Sequence, residues 1–288
     1  MTDVTMSPLK PMTDLGVLRR QVRDWKRVDL RVGFVPTMGN LHAGHFALVR
    51  ALRKQCDRVV ASVFVNPTQF GPDEDFARYP RTADADALGL AGSGCDLLWM
   101  PSVPTMYPMG LDATVQVRVP GITSVLEGAH RPGHFDGVAT VVARLFNQVQ
   151  ADVAAFGRKD YQQVAVIRHL VRELSVPLEL LVVATERDAD GLALSSRNQY
   201  LSPSERSTAP VIHRTLLAMR DASRAGAPRE AVERDACDAL ESAGLVPDYA
   251  VIRTPDLLEP LALDGPRVAL IAARLGRTRL IDNLEFDI

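Results

Sequence analysis

Short apolar runs alternate with stretches of helical periodicity over the first two thirds of the chain. Five runs have the length of buried strands, at 32–35, 58–65, 96–100, 151–156 and 178–183. Apolar residues recur at helical spacing between and beside these runs, at 15–25, 46–52, 83–90, 138–149 and 164–171. This alternation predicts an α/β fold with a Rossmann-like, mostly parallel sheet flanked by helices.

The pattern changes after about residue 185. Two helix-like stretches, 203–223 and 229–243, precede strand-like runs at 249–252, 267–272 and 279–281. We therefore expect two domains, a Rossmann-like nucleotide-binding domain over residues 1–185 and a small α+β C-terminal domain over 186–288.

Three segments of the first domain lack this periodicity. Residues 1 to about 12 are expected to form a loose leader. The alternation over 114–119 predicts an edge or hairpin strand, and the glycines of 125–137 predict an irregular loop.

The turn between the first strand and the next helix carries a chemical pattern. Residues 35–45 read Val-Pro-Thr-Met-Gly-Asn-Leu-His-Ala-Gly-His. Gly39 and Gly44 let a ligand approach the backbone, while His42 and His45 can face the same way across one helical turn. Parallel sheets bind nucleotides at such turns, where two histidines can donate hydrogen bonds to a phosphate. In isolation the turn also fits an ordinary helix start with a capping and a surface histidine.

Two later segments suit phosphate binding. Residues 157–160 follow a predicted strand and are expected to open a helix, from which Lys159 can reach a phosphate. Residues 194–197 place two hydroxyls beside the guanidinium of Arg197, which suits a polyphosphate tail. Each segment has a common alternative, a solvated helix start for 157–160 and a serine-capped turn for 194–197.

Uncharged amides lie near strand ends. Asn66, Gln69 and Gln163 can orient a carboxylate nucleophile without neutralising its charge, although each also fits an ordinary surface loop. His130 and His134 have a spacing seen in metal sites, but the Pro-Gly between them excludes the helix that would align two ligands. We expect both to be loop histidines.

Composition narrows the classes of function. The chain has 288 residues, 47% apolar and 24% charged, as in globular proteins of one or two domains. A net charge of -2 gives no basic surplus, so nucleic acid is not an expected partner. We expect no secretory signal and no membrane span. Cys56, Cys95 and Cys237 are few and far apart, which predicts no disulfide framework, no metal site and a cytoplasmic location.

Taken together, the motifs and their order resemble the pantoate–β-alanine ligase family, part of the nucleotidyltransferase superfamily with a His-x-Gly-His motif. The matching stretches are 35–39, 42–45, 64–70, 79–82, 126–128, 131–135, 156–163, 190–198, 273–276 and 279–283. The resemblance implies ATP-dependent condensation of pantoate with β-alanine, giving pantothenate, AMP and pyrophosphate through an enzyme-bound pantoyl adenylate. It also implies Mg²⁺ accompanying ATP, and a homodimer.

The resemblance assigns roles residue by residue. His45 matches a proton donor, His42 its partner at the α-phosphate, and Lys159 a cation that neutralises phosphate charge. The implied ATP site comprises Met38, Gly39, Asn40, Leu41, His42, Ala43, Gly44, His45, Gly157, Arg158, Lys159, Asp160, Glu186, Leu194, Ser195, Ser196 and Arg197. Gln69, Gln163 and Asn66 are expected to hold pantoate and β-alanine. The C-terminal domain is expected to act as a lid that excludes water from the mixed anhydride.

Three positions depart from the family pattern. Glu186 replaces a small apolar residue, so an adenine contact there is expected to use backbone atoms. Arg158 adds positive charge beside Lys159, and Thr68 replaces a common methionine in the pantoate loop. We expect activity to be retained, because the histidines, the glutamines, Lys159 and Arg197 are unchanged.

Two other functions compete with this interpretation. One is a cytidylyltransferase-like or aminoacylating member of the same superfamily, which the paired glutamines and the missing basic surplus disfavour. The other is a catalytically silent nucleotide-binding module, which loss of His45 or Lys159 would have favoured.

Overall fold

The computed structural model describes residues 7–71, 76–260 and 264–288. The chain divides into two compact units, which we describe one at a time. Unit 1 comprises Met1–Gly157 and Val166–Val183, and unit 2 comprises Arg158–Ala165 and Ala184–Ile288.

A six-stranded parallel sheet forms the centre of unit 1. Its strands are β1 (Pro11–Met12), β2 (Val32–Thr37), β3 (Arg58–Val63), β4 (Leu97–Trp99), β5 (Val153–Gly157) and β6 (Glu179–Val183). They lie in the order β1-β4-β3-β2-β5-β6, and every neighbouring pair is parallel. The chain runs from β2 to β3 and β4 on one side and later returns to β5 on the other. This reversal beside β2 is the switch point where open parallel sheets bind ligands.

Helices cover both faces of this sheet. The helices are α1 (Leu15–Arg27), α2 (Ala43–Arg53), α3 (Ala83–Gly92), α4 (Val103–Met106), α5 (Glu127–His130), α6 (His134–Val149) and α7 (Tyr161–Glu173), whose first residues belong to unit 2. Leu48 and Leu52 of α2 share a buried cluster with Val35 of β2 and Ala155 of β5. On the other face, α1 packs against α6, and Trp99 Nε1 of β4 donates to Gln148 Oε1 of α6 at 3.0 Å. The predicted Rossmann-like fold is confirmed.

Unit 2 is a small α+β unit. Its later helices are α8 (Pro203–Thr208), α9 (Val211–Arg224) and α10 (Arg229–Ser242), and its strands are β7 (Val246–Arg253), β8 (Pro266–Leu275) and β9 (Thr278–Asp287). The strands form an antiparallel sheet in the order β7-β8-β9. Leu216 of α9, Leu240 of α10 and Ile271 of β8 meet in its buried core.

The predicted strand at 114–119 is wrong. This segment has no regular structure, and Val117 N donates to Thr140 Oγ1 of α6 at 2.9 Å. The alternating valines do not form one buried side, because Val119 is buried while Val115 is 77% exposed. The alternation also does not reflect pairing with another strand.

The predicted irregular loop at 125–137 is also wrong in part. It contains all of α5 and the first turn of α6, which begins at His134. Glycine serves close packing here, because a Cβ on Gly128 would lie 2.0 Å from the carbonyl oxygen of Thr123.

Three helix and terminus predictions also need correction. Residues 157–160 end β5 and form a turn, so α7 begins only at Tyr161. The single helix expected over 203–223 is divided at Pro210, which has no N–H to continue the hydrogen-bond ladder. Of the expected leader, residues 1–6 lie outside the described residues, while Pro11 and Met12 pair with β4. Within the described ranges, no helix combines the length and apolarity needed to cross a membrane.

Candidate active site

The turn between β2 and α2 lies at the carboxyl end of a central strand. His42 is the N-cap of α2, and its Nδ1 accepts the backbone N–H of Gly44 at 3.2 Å. His45 Nδ1 accepts the N–H of His42 at 3.3 Å. The ring centroids lie 4.2 Å apart, which confirms that the two histidines are adjacent.

These contacts determine which ring nitrogen carries the proton. A nitrogen that accepts a backbone N–H cannot also bear hydrogen, so each neutral ring is protonated on Nε2. His42 and His45 therefore each have an Nε2–H donor at the positive end of α2. That arrangement suits stabilisation of negative charge on a phosphate.

Asp86 of α3 fixes the backbone just before these histidines. Its side chain is buried at 2% exposure. Oδ2 accepts the N–H of Asn40 at 3.0 Å, and Oδ1 accepts the N–H of Leu41 at 2.8 Å. Gly39 and Asn40 both have positive φ, at 89° and 52°. One carboxylate thus holds a backbone segment in a conformation that an ordinary residue avoids.

A second polar loop follows β3. Asn66 and Gln69 are buried, and Asn66 Nδ2 donates to Gln69 Oε1 at 3.1 Å. Gln69 Nε2 lies 2.9 Å from the Met38 sulfur, so this loop contacts the histidine turn directly. The carboxyl ends of neighbouring strands have brought two predicted binding segments of unit 1 together. Gly157 ends β5 at the same edge of the sheet.

The Asn66 side chain is held from the opposite side by Tyr107. The phenol donates to Asn66 Oδ1 at 2.6 Å. Burial raises the pKa of Tyr107, so the hydroxyl keeps the proton it donates. The Thr68 hydroxyl also donates to Asn66 Oδ1 at 3.1 Å. Thr68, which departs from the family pattern, therefore has a hydrogen-bond partner within this network.

His134 holds the backbone of the same loop. Its Nδ1 lies 2.8 Å from the carbonyl oxygen of Gln69, which can only accept, so Nδ1 carries a proton. Its Nε2 lies 3.1 Å from an Arg131 guanidinium nitrogen and accepts from it if the ring is neutral. The expectation that His130 and His134 are loop histidines is wrong, because His130 ends α5, while His134 opens α6 and anchors Gln69.

Unit 2 contains the other predicted phosphate-binding segments. Arg158 and Lys159 form a turn, and the Lys159 side chain is 19% exposed, with Nζ 3.6 Å from an Asp160 carboxylate oxygen. Arg158 forms an ion pair with Glu285 of β9 at 3.0 Å. The extra positive charge expected at Arg158 is therefore balanced locally. Gln163 follows in the first turn of α7.

Residues 186–194 fold back on themselves. The Leu194 N–H donates to the Glu186 carbonyl at 2.9 Å, and Arg187 bridges Ala193. Glu186 is exposed, so its charged side chain needs no place in the interior. The Ser195 side chain caps the short 3-10 helix Ser196–Tyr200, accepting the Arg197 N–H at 3.2 Å.

The predicted site residues are divided between the two units. Unit 1 holds Met38, Gly39, Asn40, Leu41, His42, Ala43, Gly44, His45, Asn66, Gln69 and Gly157. Unit 2 holds Arg158, Lys159, Asp160, Gln163, Glu186, Leu194, Ser195, Ser196 and Arg197. Among the described residues, no group of three or more His, Cys, Asp or Glu side chains is arranged to hold a metal ion.

Sequence reasoning missed Asp86, Tyr107 and Arg131. The one available signal was that Arg131 and His134 lie in a stretch that resembles the family. Asp86 gave no such signal, because an acidic residue in the first turn of a helix is ordinary.

A parallel sheet with a His-x-Gly-His turn at the carboxyl end of its central strand is typical of the nucleotidyltransferase superfamily. Comparison with known proteins narrows this class. A family model described as pantoate-beta-alanine ligase matches residues 10–285. Pantothenate synthetase from Stenotrophomonas maltophilia strain K279a is 62% identical over 278 residues, covering 96% of this chain and 100% of the relative.

Two crystal structures agree with this match. Pantothenate synthetase from Thermus thermophilus has a TM-score of 0.87 and 47% identity, covering 96% of this chain and 99% of that one. Pantoate-beta-alanine ligase from Francisella tularensis, complexed with beta-gamma ATP and beta-alanine, has a TM-score of 0.80 and 31% identity, covering 96% and 97%. The chain therefore belongs to the pantoate–β-alanine ligase family, and the predicted ligase class is confirmed.

Proposed function

We propose that this enzyme condenses pantoate with β-alanine at the expense of ATP, through a pantoyl adenylate. Family membership and the ATP and β-alanine in the Francisella complex support the substrates. The observation that carries the chemistry is the turn at 38–45, where the Nδ1 atom of each of two adjacent histidine rings accepts a backbone N–H, which leaves Nε2 to carry the proton of the neutral ring. Such preorganised donors suit a reaction in which charge develops on a phosphate.

In the first step, a pantoate carboxylate oxygen attacks the α-phosphorus of ATP. The bond from that phosphorus to the bridging oxygen breaks, and pyrophosphate leaves. His45 donates to the charge that develops, and His42 donates beside it. The phosphates of ATP would carry Mg²⁺, which would offset the charge of the departing pyrophosphate.

In the second step, the β-alanine amine attacks the carbonyl carbon of the mixed anhydride. The carbon–oxygen bond to AMP breaks, the amine loses a proton, and the amide of pantothenate remains. Gln69 orients pantoate as a neutral donor, which leaves the carboxylate nucleophilic. Asn66 holds Gln69 in place, because its Nδ2 donates to Gln69 Oε1 at 3.1 Å and to the Gly137 carbonyl oxygen at 3.2 Å. Their contacts with Tyr107 and His134 support this role, because a positioned side chain needs fixed neighbours.

Unit 2 is proposed to bind the rest of ATP. Lys159 and Arg197 supply cations for the phosphates, with Ser195 and Ser196 as hydroxyl donors. Glu186 contacts adenine through its backbone, in keeping with its exposed side chain. Gln163 joins the amides that hold pantoate, and the C-terminal residues act as a lid over the anhydride.

We also propose a cytoplasmic homodimer. Met109 and Val115 are 74% and 77% exposed on the irregular segment after α4, and a second copy of the chain would cover them. The cysteines are free, and burial raises the pKa of Cys95 to about 12, which suits a protein that keeps its thiols reduced. Light scattering of the purified protein tests the dimer, and a monomeric mass at micromolar concentration would contradict it.

The proposed reaction is tested by counting its products. Purified enzyme is given ATP, Mg²⁺, pantoate and β-alanine, and the nucleotides and pantothenate are separated and quantified. We expect one AMP for each pantothenate, and neither product in a steady state when pantoate is omitted. ADP in place of AMP would contradict the adenylate route, and no amide product would contradict the ligase assignment.

A further inference from the structure

We propose that Asn283 is a positioning residue that holds the Lys159 turn in the geometry needed to bind phosphate. Asn283 lies on β9, in the late stretch 279–283 that resembles the family and to which no role has been assigned above. The inference rests on the proposed role of Lys159, and it concerns unit 2 alone.

The Asn283 side chain is bound to the turn itself. Its Nδ2 donates to the carbonyl oxygens of Arg158 at 3.0 Å and Lys159 at 2.9 Å. An amide nitrogen has two hydrogens, so the two carbonyls use its full donor capacity. Asn283 is 3% exposed, and no other residue type of the same size offers two donors from one atom.

A buried ion pair fixes Asn283 in turn. Asp282 is 4% exposed and accepts two hydrogen bonds from the Arg187 guanidinium, at 2.5 and 2.9 Å. Asp282 Oδ1 also accepts the backbone N–H of Asn283 at 2.8 Å. A bidentate pair of this kind fixes orientation as well as charge, so the β9 backbone has little freedom at this point.

The same ion pair reaches the second phosphate-binding segment. Arg187 donates to the Gly191 carbonyl at 3.0 Å, within the folded-back stretch that ends at Leu194. One buried network thus connects the Lys159 turn with the chain that leads into 195–197. We infer that the network keeps the Lys159 cation at a fixed position. Such precision matters because a cation displaced by about 1 Å can lose much of its effect on a reacting phosphate.

The test is a double-mutant cycle on kcat/KM for ATP in the full chain. Asn283→Asp keeps the size of the side chain but faces both carbonyls with acceptors. We expect a loss of roughly 10- to 100-fold, mainly in KM for ATP and with KM for β-alanine nearly unchanged. Combined with Lys159→Ala, it should add little to the loss caused by Lys159→Ala alone, because both changes remove the same contact.

Leu280→Ala is the matched control for a general loss of packing on β9. Leu280 is buried in the core of unit 2 and makes no contact in this network, so its loss should lower thermal stability and leave KM for ATP unchanged. If Asn283→Asp does not fold, Asn283→Ser replaces it in the cycle, with a smaller loss expected because one donor remains.

The outcomes separate the inference from the proposed function. Losses that multiply in the double variant, or an Asn283 variant that behaves like Leu280→Ala, would overturn the positioning role alone. A Lys159→Ala variant with unchanged kinetics would overturn the proposed role of Lys159 and the inference with it.

Discussion

Asp86→Asn tests whether the turn before the histidines is held by a single buried carboxylate. The aspartate accepts two backbone N–H groups, from Asn40 and Leu41, and an asparagine of the same shape can accept only one of them. Its Nδ2 then faces the other N–H donor. A hydrogen bond to a charged group contributes about 1.5–3 kcal/mol. If this loss appears wholly in ATP binding, affinity falls by roughly 10- to 150-fold.

Asp84→Asn is the matched control. Asp84 lies in the same first turn of α3 but is exposed, so its substitution removes the same charge without touching the turn. Titration calorimetry with ATP, together with KM for each substrate, distinguishes the two variants. We expect Asp86→Asn to weaken ATP binding and Asp84→Asn to have an effect of less than about 2-fold. Equal ATP affinities in the two variants would refute the argument.

Three shorter predictions concern other parts of the molecule. His45→Ala should slow adenylation by roughly 10²–10⁴-fold in single-turnover assays. His169 is exposed, so His169→Ala serves as the control and should leave the rate unchanged. An unchanged rate in His45→Ala would remove His45 from the mechanism. Gly137→Ala places a Cβ 2.4 Å from the Thr68 carbonyl oxygen. To restore an ordinary contact distance, the loop that carries Asn66 and Gln69 must shift by about 1 Å. KM for pantoate should therefore rise at least about 10-fold. An unchanged KM for pantoate would show that binding does not depend on the position of this loop. Burial and the nearby Arg187 lower the pKa of His213 from its ordinary 6.5, although Asp282 acts in the opposite direction. The His213 ring therefore binds a proton more readily in the unfolded chain than in the folded one. Stability should therefore fall as pH drops below 6.5, and urea unfolding should show a smaller fall for His213→Gln than for the parent; equal falls would contradict the assignment.

The parallel sheet could be predicted because its determinants are local. A strand buried on both faces is a continuous apolar run, and its following helix repeats every three or four residues. The same reasoning failed at 114–119, where valines alternate with polar residues but Val115 is exposed and only Val119 is buried. It also placed α6 too late, because the glycines before it serve packing as well as turns.

The supporting residues of the site could not be predicted in this way. Asp86 acts on a turn 46 residues away, and Asn283 acts on Lys159 across 124 residues. The sequence around Asp86 is that of an ordinary helix start, and the resemblance of 279–283 to the family does not say which residue Asn283 contacts. Their partners become visible only when the fold brings distant segments together.

The measurement that tests the central claim most directly is isotope exchange between pyrophosphate and ATP, in the presence of pantoate and the absence of β-alanine. Exchange requires reversible formation of the adenylate, so the account predicts that labelled pyrophosphate enters ATP only when pantoate is present. His45→Ala should slow the exchange strongly. If pantoate produced no exchange in enzyme that binds ATP well, the pantoyl adenylate and the mechanism built on the histidine turn would both be contradicted.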